Sequence, residues 1–172
     1  MVKENFKKQK FYEKIMIKYR KFKKSDIRQV TKIRHKVFSE FCKNDYFEKW
    51  AIKWYLSHSN LNKTDELLLK QFWIEKDLIC YVVEENSKII GYIKGYKNRI
   101  WNFFILWNFH NKWIWKKLIK LLEIEVIKDW ANEIKIKSST YAVPFYQKMG
   151  YKKTTWIRNM HWLKIQPMKK IF

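Results

Sequence analysis

With 172 residues, 47% of them hydrophobic and 19% aromatic, the chain has the apolar content of one packed domain, which excludes an intrinsically disordered polymer. Its formal charge of +22 rests on 33 lysines and only five arginines, a balance that suits a solvated surface better than base-edge reading, where arginine leads. No apolar run reaches the roughly 18 residues of a membrane helix, the start lacks a secretory core, and Cys42 and Cys80 have neither CxxC nor metal-ligand spacing, so a cytoplasmic protein without a metal is expected.

Residues 1–14 read as a basic tail ahead of a single domain at 15–172. The first 24 residues carry ten basic and two acidic side chains, so any nucleic-acid contact would begin there. "IMIKYRKF" turns Ile15, Ile17 and Tyr19 to one side, a strand pattern. Ser25 and Asp26 are placed to cap a helix that keeps Ile27, Val30, Ile33, Val37, Phe38 and Phe41 on one face. A second helical region at about 46–73 is interrupted by "SHSNLNKTDE". "LICYVVE" and "KIIGYIKGY" form a hairpin through "ENS", and "RIWNFFIL" reads as a third strand. A long helix from about 112 presents Ile114, Leu118, Leu121, Leu122 and Val126. "NEIKIKSS" is the next strand, "YAVPFYQKM" a short helix stopped by Gly150, and "YKKTTWI" and "WLKIQPM" two final strands. The fold class is therefore α/β (α+β). A mixed, mostly antiparallel sheet carries helices on both faces, and the strand–helix–strand step from about 100 to 138 makes a parallel pair.

The blocks "YVVEENSKIIGYIKGY", "NFHNKWIWKKLIKLLE", "SSTYAVPFYQKMGYKK" and "IQPMKK" follow one another in an order and spacing that resemble the GNAT superfamily of N-acetyltransferases, especially its small bacterial members. The likeness spans roughly 15–170. It implies a GNAT fold and transfer of an acetyl group from the cosubstrate acetyl-CoA to a primary amine, in a monomer or homodimer. It further implies that the parallel strands flank the helix that binds the coenzyme.

In that family the loop before the long helix reads Q/R-x-x-G-x-G/A, and its backbone amides hold the CoA diphosphate. The matching residues are His110, Asn111, Lys112, Trp113, Ile114 and Trp115, followed by Lys116. Both glycines are replaced by tryptophan. Trp130, Trp156 and Trp162 also stand where the resemblance expects glycine. Three glycines and ten tryptophans together come close to the ordinary glycine share of about 7%. Decay would scatter several residue types over such sites. A single replacement type points to a codon, UGA, read as glycine in the source organism and rendered as tryptophan. Trp54 and Trp73, inside helical segments, fit as genuine tryptophans.

By the resemblance, a main-chain N–H at Ile105 or Leu106 faces the thioester carbonyl, and Ser139 takes the place of a cofactor-contacting asparagine. Tyr146 matches the family tyrosine that protonates the leaving thiolate; a free phenol, with pKa about 10, is protonated at neutral pH. Asn102 stands where some relatives carry a carboxylate and cannot accept a proton. Asp45, Glu48 and His58 lie in the region that shapes the acceptor pocket. The alternative function is a GNAT-like protein without catalysis, its basic surface on RNA or the ribosome.

Overall fold

The structure is a computed structural model that describes residues 16–41, 49–57, 60–72, 78–110, 113–160 and 163–172. In chain order the elements are β1 (Ile17–Lys21), α1 (Ile27–Phe41), α2 (Lys49–Ser57), α3 (Asp65–Phe72), β2 (Leu78–Glu85), β3 (Lys88–Tyr96) and β4 (Arg99–Ile105). There follow α4 (Ile114–Lys128), β5 (Glu133–Ser139), α5 (Val143–Lys148), β6 (Lys152–Lys153), β7 (Arg158–Met160) and β8 (Leu163–Ile171). One sheet of eight strands runs β1-β2-β3-β4-β5-β8-β6, with β7 also on β8. Among the described residues only β4 and β5 are parallel, and they pair at two positions, Arg99 with Lys135 and Ile100 with Ile136. Beyond those positions the two strands separate.

Period-two alternation divides the core between the faces of the sheet. Tyr81 and Val83 of β2 pack under α4 with Leu118, Ile119, Leu122 and Val126. Cys80 and Val82 point the other way, under α1 and α3. The long helix buries Ile119 as well as the predicted Ile114, Leu118, Leu122 and Val126, while Leu121 is only half-buried. Cys80 is a buried free thiol that desolvation pushes up to about 12. Cys42 and Ile15 lie outside the described residues.

Two expectations are corrected. The turn before α1 is a 3-10 turn at Lys24–Asp26 whose N-cap residue is Lys23 and not Ser25; Asp26, the other residue expected to cap, closes it by accepting from Lys23 N–H at 2.7 Å. "YKKTTWI" is not one strand. Only Lys152–Lys153 of it pair with β8, as β6; the chain then bends at 155–156, and β7 begins at Arg158, beyond the block. The β2–β3 turn holds Asn86 and Ser87 at φ 48° and 65°, the pair of left-handed residues that a tight hairpin needs.

Two bulges set the end of β4. Val83 pairs with Gly91 and Glu84 with Ile89, so Ile90 is an extra residue on β3. Lys94 pairs with Asn102 and Gly95 with Ile100, so Trp101 is an extra residue on β4. A side chain on Gly91 would meet Ile105 Cγ1 at 2.8 Å, and one on Gly95 would meet Arg99 O at 2.7 Å and Leu122 Cδ1 at 2.8 Å. The missing Cβ atoms let β4 and α4 close on β3 at these points.

Candidate functional site

The site lies where β4 and β5 part. Leu106 N–H donates to Ile90 O at 2.9 Å, so it is held by the sheet. Residue pairs of an antiparallel ladder alternate between bonded and non-bonded, which turns the Ile105 N–H away from β3 and toward the opening. Of the two predicted donors, Ile105 is thus the one aimed into the gap. Its carbonyl meets His110 Nε2 at 2.9 Å. The His110 ring also lies against Phe41 and Trp107, with centroids 5.8 and 5.1 Å away. His110 therefore fixes the end of β4, a role its place in the loop motif did not suggest.

A cleft of about 490 Å³ opens on this gap, lined by Ile105, His110, Trp115, Ser139 and Tyr146 among others. The cleft thus brings together five of the eleven site residues predicted from the sequence, while Leu106, Trp113, Ile114 and Lys116 do not line it. Asn111 and Lys112 lie outside the described residues, as do Asp45, Glu48 and His58. Phe41, Trp107 and Tyr141 were missed: Phe41 stacks on both rings at 5.2 Å and closes one side of the cleft. Their sequence signal was only an aromatic-rich composition, and α1 and the loop after β5 are about a hundred residues apart.

On the other side of the gap, Phe38, Tyr55, Trp101, Asn102 and Phe104 face a larger cavity of about 1030 Å³. Tyr146 and Ser139 line both spaces. Tyr146 is buried, its ring held among Phe103, Phe145 and Tyr151 at 6.5, 4.9 and 5.5 Å. Pro144 in the first turn of α5 pre-sets the helix that carries it.

The start of α4 is different in kind. Trp113 is its N-cap residue at φ 57° and ψ −2°, with 69% of its surface exposed. Lys116 Nζ sits over the Trp113 ring, 3.6 Å from its centroid. Trp115 leans on Phe145 edge-on at 4.5 Å and lines the cleft. A helix N-terminus favours an anion because its first N–H groups are unpaired. Here two indoles flank those groups, and the residues present do not fit a diphosphate. Ile114 is buried in the core under α4, so its side chain serves packing.

The acetyltransferase (GNAT) domain family matches residues 55–172. No curated protein sequence matches the chain. Among solved structures, a GCN5-related N-acetyltransferase from Rhodopseudomonas palustris superposes with TM-score 0.73 at 14% identity, over 90% of this chain and 95% of that one. The PaiA N-acetyltransferase of Thermoplasma acidophilum, solved with coenzyme A, gives 0.68 at 17% identity over 91% and 99%. An aminoglycoside 6'-N-acetyltransferase, also with coenzyme A, gives 0.64 at 14% over 90% and 96%. The chain belongs to the GNAT acetyltransferase family, a class of acetyl-CoA-dependent acyltransferases.

Proposed function

We propose that this protein transfers the acetyl group of acetyl-CoA to a primary amine by direct attack. The observation that carries the reading is that Tyr146 lines both the cleft beside α4 and the larger cavity across the β4–β5 gap, where donor and acceptor would meet. The Ile105 N–H is aimed at the carbonyl oxygen as negative charge develops, a contribution typically worth about 3–4 kcal/mol. The neutral amine forms the new C–N bond, the C–S bond breaks, and the Tyr146 hydroxyl gives its proton to the thiolate sulfur. The proton lost from the amine returns to the phenolate through solvent. Tyr146→Phe is expected to lower kcat on the order of 10²-fold while acetyl-CoA affinity stays within twofold; full turnover in that variant removes tyrosine from the mechanism.

The same reading includes the loop. Positions 113, 115, 130, 156 and 162 are assigned glycine in the protein as its source organism makes it, through UGA codons read as glycine. Two backbone conformations support this. Trp113 and Trp130 have φ of 57° and 61°, in the left-handed region where a Cβ costs about 1–2 kcal/mol and glycine is the default. Trp130 follows α4 with 96% of its surface exposed, so its ring gains almost nothing to offset that cost. Trp156 is exposed too but is not among the left-handed residues, and Trp162 lies outside the described residues. With glycine at 113 and 115 the α4 amides are open to a diphosphate. The double variant Trp113→Gly/Trp115→Gly should bind acetyl-CoA at least tenfold more tightly than the tryptophan form in a calorimetric titration. Mass spectrometry of the native protein tests the recoding directly, and tryptophan at both positions would overturn it.

A further inference from the structure

The larger cavity has a polarity along its length. Its floor is β4, β5 and β8, and one wall is the Phe38–Tyr55 pair, stacked at 3.7 Å. At one end stands Tyr146. In the middle are Trp101 and Phe104. At the other end, Arg99, Lys135, Lys137, Lys152, Lys153 and Lys169 surround a lone carboxylate, Glu133. That carboxylate is engaged twice, by Lys135 Nζ at 2.5 Å and Lys169 Nζ at 3.1 Å, and these bonds hold it below the usual carboxylate range. Lys137 Nζ touches the Met160 thioether at 3.0 Å, and Arg99 has no ion pair among the described residues.

Abundant lysine by itself would mean little in so basic a chain. The placement is what counts. Glu133, Lys135, Lys137 and Ser139 share one face of β5, opposite the buried Ile134, Ile136 and Ser138. A cation series therefore runs along the floor toward Tyr146, and its one acidic group among the described residues is already paired.

We infer that the acceptor is an elongated primary amine: the amine lies at Tyr146, a flat apolar body lies against Trp101 and Phe104, and a carboxylate or phosphate lies on Arg99 and Lys137. The position of the amine rests on the acetyl-transfer reading above; the anion and the apolar body do not. At about 3.3 Å per strand residue, Ser139 and Lys135 are about 13 Å apart, so the anion sits on the order of 10 Å from the amine. A polyamine or other polycation would bring several ammonium groups to a wall that, among the described residues, holds no carboxylate other than the twice-paired Glu133, and charge complementarity disfavours it.

The test is equilibrium binding without acetyl-CoA, followed by calorimetry with three probes: tyramine O-phosphate, tyramine and spermidine. Tyramine O-phosphate should bind at least tenfold more tightly than tyramine, and spermidine should not compete. In the double variant Arg99→Gln/Lys137→Gln the tenfold preference should disappear while tyramine binding persists. Equal affinity for the two tyramines, competition by spermidine, or an undiminished preference in the double variant overturns the inference. Because no arm uses acetyl-CoA, loss of acetyl transfer would leave these results standing. Efficient acetylation of spermidine would keep the transferase and sink this acceptor class.

Discussion

Trp130 shows how a single backbone angle carries information that a side chain conceals. Its N–H bonds to Ile127 O at 3.0 Å and the next N–H, of Ala131, reaches Val126 O at 3.3 Å, the pattern that ends a helix through a left-handed residue. The chain must turn there so that β5 can begin at Glu133. Nothing about an indole favours that geometry, and the ring projects into solvent. Trp130→Gly is therefore expected to raise stability by about 1 kcal/mol, since relief of the left-handed penalty outweighs the modest entropy cost of glycine. In thermal unfolding this would appear as an increase of roughly 2–4 °C for a domain of this size. A fall in Tm would mean that the tryptophan makes a stabilising contact at this turn. Trp54, by contrast, lies within α2 and is not among the left-handed residues.

At the scale of elements, the junction of β1, β2 and α1 is tied by ions. Arg20 donates to Asp26 Oδ2 and Oδ1 at 2.7 and 2.9 Å and, through Nε, to Glu84 Oε1 at 2.8 Å. Asp26 is almost fully buried, and burial alone would raise its pKa. The bonds from Arg20 and from Lys23 N–H outweigh that and hold the carboxyl below its ordinary value. A carboxylate depressed in the folded state adds stability that is fully present above the unfolded pKa of about 3.9 and is lost as pH falls through the folded value. Asp26→Asn should thus cost about 2–3 kcal/mol in urea unfolding at pH 7, with the difference from the parent shrinking steadily below pH 4. A difference that is the same at pH 3 and pH 7 would show that Asp26 contributes through shape alone. The hydrophobic spacing of α1 was plain in the sequence. Asp26 as a partner of Arg20, which also holds Glu84, was not, because a capping residue and a buried ion-pair residue look alike until β2, about 60 residues on, is brought beside β1.

For the whole molecule, the parting of β4 from β5 is the organising event. The sheet is continuous through only two parallel pairs there, and the candidate site opens on the gap. A ligand that bridges β4, α4 and α5 should stabilise the fold by mass action, by about 2.7 kcal/mol at a concentration 100 times its dissociation constant. In a thermal-shift measurement, Trp113→Gly/Trp115→Gly should gain several degrees with CoA while the tryptophan form gains little. Equal shifts would mean that the indoles do not obstruct the loop.

The sequence by itself determined the element order as far as α5, the hairpin, the parallel step, the helix that opens the site and the blocks that mark the family, because periodicity and turn chemistry act over a few residues; the short strands after α5 it did not resolve. It also named Ile105, His110, Ser139 and Tyr146 as neighbours, though only through the resemblance. Tertiary structure alone decided that the Ile105 N–H and not that of Leu106 is turned into the gap, that His110 braces a carbonyl, that Trp113 and Trp130 sit in left-handed backbone, and that the cavity beyond Tyr146 ends in cations. Each of those facts depends on strand register or on contacts between residues far apart in the chain, and such contacts leave no local pattern to read.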